Sequence, residues 1–102
     1  MVTNTQLEII ARIINKTVNP ESVFLFGSYA EGTPNENSDL DIAIIKNTVE
    51  DKHESLYQIR KALSYLGIPM DILLFETKNY HLNKNVYGTV QYEVAHKGKQ
   101  LS

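Results

Sequence analysis

Cysteine is absent from the 102 residues of the chain, which removes disulfides, thiolate metal sites and cysteine nucleophiles from consideration. A reducing, cytoplasmic location fits that absence and is the expectation. Nothing approaches the run of about 18 apolar residues that a membrane-spanning helix needs. The opening "MVTNTQLEIIARIINK" also lacks the basic start, long apolar run and small-residue cleavage site of a signal peptide. A large charge of either sign is missing as well: 10 Lys and Arg stand against 12 Asp and Glu, for a net charge of −2. No extensive surface for nucleic acid or anionic membrane is therefore expected, and any polyanion must be gripped locally. Internal repeats, low-complexity tracts and linkers are lacking too. What is present is 42% hydrophobic and 22% charged residues, the balance of a folded globular chain, at a length suited to a single domain over residues 1–102 with one hydrophobic core.

Hydrophobic spacing then predicts an alternation of helices and strands. Thr3 and Gln6 have the spacing of a capping box, and Leu7, Ile10, Ala11, Ile14 and Val18 recur at helical intervals until Asn19-Pro20 breaks the pattern. "SVFLF" reads as a short buried strand ending at a glycine, and "SDLDIAII" as a second strand after the polar loop "GTPNENS". Leu56, Ile59, Leu63 and Leu66 mark one face of a helix closed by Gly67, and "MDILLF" after Pro69 reads as a third strand. The remaining "NYHLNKNVYGTVQYEVAHKGKQLS" is expected to be mainly helical, with Val86, Val90 and Val94 on one stripe and Gly88 as its weak point. The order helix, strand, strand, helix, strand, helix implies an α/β (α+β) chain: a small mixed β-sheet flanked by helices.

Chemistry concentrates in "FGSYAEGTPNENSDLDIAII", where Gly27-Ser28 is followed after ten residues by Asp39-Leu40-Asp41. Side chains alternate along a strand, so Asp39 and Asp41 share a face while Leu40 and Ile42 point to the core. Two carboxylates at such short range repel by several kcal/mol at an effective dielectric of about 20, and one tends to protonate unless a cation intervenes. With no His or Cys alongside, an all-oxygen set favours Mg²⁺ or Mn²⁺ over zinc. Asp71 stands second in the apolar run "MDILLF", a costly place for an unpaired acid, and is the natural third carboxylate if the second and third strands are neighbours. Three acids so placed suit phosphoryl or nucleotidyl transfer. Gly27 permits close backbone approach, and Ser28 at the start of a helical turn offers N–H groups and a hydroxyl to a phosphate.

Gly27-Ser28, the ten-residue spacer, Asp39-Leu40-Asp41 and the later Asp71 resemble the DNA polymerase beta-like nucleotidyltransferases. The short chain and the closing "VQYEVAHKGKQL" are similar to the minimal nucleotidyltransferases of that superfamily, a likeness covering nearly the whole length. The resemblance implies the polymerase beta-like fold, ATP as substrate and pairing with a HEPN-domain toxin as its antitoxin. Family members transfer AMP to a tyrosine of that toxin and silence its RNase activity. It further implies that Gly27 and Ser28 bind the nucleotide phosphates, Asp39 and Asp41 the metals, and Asp71 a metal and the incoming hydroxyl. One departure stands out: the family often has a basic residue just after this corner, where this chain has Glu31. Lys46, Arg60 and Lys61 are the candidates to compensate.

Each residue has a plainer reading. Gly27-Ser28 in isolation is a strand-to-helix turn with a serine cap, Asp39 and Asp41 are solvated loop-end acids, and Asp71 is an exposed strand-edge carboxylate. His53, His81 and His96 share no metal-ligand spacing, and the six tyrosines are packing residues by default, with Tyr29 and Tyr80 the ones to follow. Competing motifs fail on particular residues: Ala43 and Ile44 break an EF-hand loop, Phe26 and Ala30 occupy the glycine positions of a nucleophile elbow, and no Gly-Lys-Ser/Thr occurs. Besides the antitoxin enzyme, the alternatives are an antitoxin that acts by binding alone, and nucleotidyl transfer to a small molecule or RNA end.

Overall fold

Helix α1 (Asn4–Val18) begins with the capping box: the Gln6 N–H donates to Thr3 Oγ1 at 3.2 Å and the Thr3 N–H donates to Gln6 Oε1 at 2.8 Å. It ends at Asn19, whose left-handed backbone (φ 48) turns its N–H onto the Asn15 carbonyl. In the computed structural model, which describes residues 1–102, the chain continues through β1 (Ser22–Phe26), α2 (Gly27–Ala30), β2 (Leu40–Lys46) and α3 (Lys52–Leu63). A 3₁₀ turn over Ser64–Leu66 extends α3 to Gly67, which takes the expected left-handed cap. Then come β3 (Met70–Glu76), α4 (Thr77–Asn83), α5 (Val90–Lys97) and β4 (Lys99–Gln100).

The strands form one mixed sheet in the order β3-β2-β1-β4, with β1 antiparallel to both its neighbours and β2 parallel to β3. Because β2 is central and covered on both faces, it reads as an unbroken apolar run, Ile42-Ala43-Ile44-Ile45, rather than as an alternation. On one face α1 and α3 lay Leu7, Ile10, Ile14, Ile59 and Leu63 against Val23, Leu25, Leu40, Ile42, Ile44, Ile72 and Leu74, making a continuous core. The opposite face carries a smaller cluster, Ala43, Ile45, Tyr80 and Val94, edged by half-buried Phe24, Phe26 and Phe75. Tyr80 packs there at 6.0 Å from the Phe24 ring, so its role is packing.

The C-terminal third departs from the expected single helical stretch. Gly88, at φ 92, lies in the connection that separates α4 from α5. Of the valine stripe only Val94 is buried; Val86 lies outside any helix, and both it and Val90 are exposed. The cause is local: Thr89 caps α5 by accepting the Tyr92 N–H at 3.0 Å, so a new helix starts just past the glycine. The tail then forms β4 against β1, a two-residue strand too short to leave an alternation pattern in the sequence.

Candidate active site

The antiparallel direction of β1 decides where the motif residues meet. Its C-terminal end, Phe26-Gly27, lies at the same end of the sheet as the N-terminal ends of β2 and β3. Phe26 is aligned with Asp41, and Asp41 with Asp71, in one row across three strands. Side chains at matched positions of neighbouring strands share a face at a strand spacing of about 4.8 Å. That face is the less covered one, since Leu40, Ile42 and Ile72 turn to the larger core. The condition that the second and third strands be neighbours is met.

Asp39 lies one residue ahead of β2 and is exposed, so the strand starts later than the sequence pattern suggests. The segment leading to it is ordered by its own polar residues. The Thr33 N–H donates to the Ser28 carbonyl at 2.9 Å, the Asn37 N–H to Asn35 Oδ1 at 2.8 Å, and the Asn35 N–H to Ser38 Oγ at 2.9 Å. These bonds fold the ten-residue spacer into a compact loop that returns the chain to the sheet end it left.

Gly27 has a requirement that the sequence did not announce. Its φ of 72 is costly for any residue with a Cβ, and a Cβ there would collide with the Asp41 carboxylate, whose Cγ lies 3.1 Å from that position. The corner and the acid therefore touch, and the glycine is small because a carboxylate fills its side-chain space.

Electrostatically the site is a concentration of uncompensated negative charge. Asp41 is half-buried and its carboxyl is raised above its ordinary value, first by burial, then by the neighbouring Asp71 and Asp39. Neither ion pair in the chain involves any of the three acids. The side chains share a rim without closing on one point: no three His, Asp or Glu residues stand as a ready ligand cage. As a donor set they still suit a hard divalent ion, being all oxygen, mutually repelling and without a cationic partner.

The cations proposed to offset Glu31 lie elsewhere. Lys46 is at the opposite end of β2, five residues from Asp41 and so about 16 Å away along the strand. Arg60 and Lys61 are exposed on α3, which packs on the other face of the sheet. Sequence reasoning missed Lys97 instead. It ends α5, pairs with Glu93 at 3.3 Å and lies close enough to Glu31 to feel its charge. The signal that could have found it was "HKGKQL", where a glycine closing a helix brings the next residues back to a sheet edge.

The fold has counterparts among known proteins. The profile of the family described as Polymerase beta, Nucleotidyltransferase matches residues 8–101. A search of curated proteins finds no match. Among solved structures, the fold is similar to a chain of a mutant MntA-HpeT toxin–antitoxin complex, with TM-score 0.65 and 24% identity over 94% of this chain and 72% of that one. It is also similar to a toxin–antitoxin structure with AMP-PNP, with TM-score 0.63 and 26% identity over 93% and 72% of the two chains. A third similarity, with TM-score 0.53 and 22% identity over 94% and 71%, is to a complex of tri-AMPylated Shewanella oneidensis HEPN toxin with MNT antitoxin. With the family profile spanning nearly its whole length, the chain belongs to the polymerase beta nucleotidyltransferase family.

Proposed function

We propose that this nucleotidyltransferase moves AMP from ATP onto a tyrosine hydroxyl of a HEPN-domain toxin, in the cytoplasm, and so acts as that toxin's antitoxin. The observation that carries the reading is the row Phe26, Asp41, Asp71 at the sheet end where Gly27 touches the Asp41 carboxylate. Support for nucleotide and partner comes from the neighbours: one is a toxin–antitoxin structure with AMP-PNP, another a complex whose toxin is AMPylated.

Asp39 and Asp41 would hold Mg²⁺ or Mn²⁺, with Asp71 completing the set. Such an ion, when bound, offsets the charge of the phosphates and of the leaving group. Gly27 and Ser28 would seat the phosphates, because the opening N–H groups of a helix have no partner within it. Asp71 is exposed and so accessible to an acceptor. As the acceptor oxygen bonds to the α-phosphorus, the bond from that phosphorus to the bridging β-phosphate oxygen breaks. Pyrophosphate departs, and the hydroxyl proton passes to Asp71.

The test is to incubate the chain with α-labelled ATP, Mg²⁺ and a purified HEPN-domain toxin. Label should appear on that protein, and Asp41→Asn should abolish it; full labelling by Asp41→Asn would reject the reading. Glu31, standing where the family often has a basic residue, favours a second reading in which the chain silences its partner by occlusion alone. Under that reading neutralisation of the toxin needs no ATP and survives Asp41→Asn.

A further inference from the structure

We infer that Lys97 neutralises the triphosphate beside the Gly27-Ser28 corner, in the neighbourhood where Glu31 leaves a negative charge. The assignment rests on the nucleotidyltransferase reading and adds a residue to the same site.

Three independent features bring Lys97 to the corner. The β1–β4 register aligns Leu25 with Lys99, so the chain leaving α5 arrives at the end of β1 just before Gly27. Gly98 is pressed onto that strand: a Cβ at position 98 would lie 3.1 Å from the Leu25 carbonyl oxygen and would collide with the Val94 carbonyl. Position 97 is thereby fixed beside the corner. Finally, α5 packs against α2, and Glu31, the C-terminal cap of α2, acts on the Lys97 charge.

The side chain is available for a ligand. Its ion pair with Glu93 at 3.3 Å is half-exposed on both sides, a contact that water screens and that a multiply charged phosphate can displace. The hydrogen bond that Lys97 donates to Glu93, and then the charges of Glu93 and Glu31, raise the Lys97 pKa, so the ammonium is retained at neutral pH. Four other cations are directed away: Lys46 to the far sheet end, Arg60 and Lys61 to α3 on the other face, and Lys99 to the α1 side, since its strand partner Leu25 lies in the larger core. A lysine is a compact point charge with three donors on a flexible stem, suited to follow a phosphate chain rather than to clamp it.

Calorimetric titration of the intact chain with ATP plus Mg²⁺, and separately with adenosine, tests the assignment. Lys97→Gln should weaken ATP binding by about tenfold or more, the scale of a hydrogen bond to a charged group, and leave adenosine binding unchanged. Adding Glu31→Arg to Lys97→Gln should restore ATP affinity by returning positive charge to the corner. Lys46→Gln should match the parent. Lys97 is exposed, so its replacement should keep the melting temperature. The assignment is overturned if Lys97→Gln binds ATP within twofold of the parent, or if it loses ATP and adenosine equally. Where labelling still depends on Asp41 but not on Lys97, only the Lys97 assignment falls; where Asp41→Asn changes nothing either, both readings fall.

Discussion

The two faces of the sheet are built to different standards. Against α1 and α3 lies a continuous core in which Ile10, Ile14, Ile42, Ile44 and Ile59 have no exposed surface at all. Against α4 and α5 lies a small cluster bordered by half-buried phenylalanines, and its open end carries Asp41 and Asp71. The same strand, β2, serves both faces: its even positions close the large core, while Asp41 occupies the row that the thinner layer leaves uncovered. Three acids gathered at one sheet end repel one another, and the opposite face is the one that is closely packed.

The sharpest way to separate the faces is to substitute on each and read activity and stability together. Asp41→Asn is expected to lower transfer more than about a hundredfold, above the usual loss for a partner that merely supports a metal ligand, while the fold survives; labelling kinetics and a thermal melt check the pair. Gly27→Ala should also cost activity more than stability, because the added Cβ displaces the Asp41 carboxylate; a loss of folding with activity per folded molecule unchanged would contradict that contact.

On the packed face, Ile44→Ala should destabilise by about 2–5 kcal/mol, whereas Leu73→Ala, half-buried on the site face, should cost about 1 kcal/mol. Urea titrations that give equal losses would show that the faces do not differ as described. Thr3→Ala, which opens the capping box, should cost about 1 kcal/mol and leave activity unchanged.

The smallest effect is in pH dependence. Burial, with Asp71 and Asp39 nearby, raises the Asp41 carboxyl above its ordinary 3.8, so the native chain keeps that proton to higher pH than the unfolded chain does. The group therefore favours folding fully below 3.8 and loses that contribution as pH rises through the raised value. Asp41→Asn lacks this term. Its melting temperature should exceed the parent's at neutral pH, by less than the loss caused by Ile44→Ala, and the margin should narrow as pH falls toward 3.8.

Much of the fold was legible because its signals are local. The capping box at Thr3, the Asn19-Pro20 stop, "SVFLF" and the helix closed at Gly67 need only spacing and backbone preference, and each forms where expected. The stretch after β3 was not legible, since three valines at helical intervals cannot reveal that a glycine at φ 92 lies between the first and the rest. The cations expected to offset Glu31 lie away from the corner for a related reason. Lys46, Arg60 and Lys61 are nearer to the motif in sequence than Lys97, but a seven-residue strand and a helix on the other face carry them away.

By itself the sequence singled out the candidate residues for the chemistry, because Gly27-Ser28, the spacer, Asp39, Asp41 and Asp71 form a pattern that packing alone does not require. It also determined α1, α3 and the three main strands, whose apolar patterns are properties of a few consecutive residues. Only the tertiary structure decided that β1 runs antiparallel to β2 while β3 runs parallel, which brings the glycine corner and the acids to one sheet end, and that β4 returns the chain after Lys97 to the end of β1. Strand direction and register are set by how two apolar faces are covered at once, and no short window of residues contains that information.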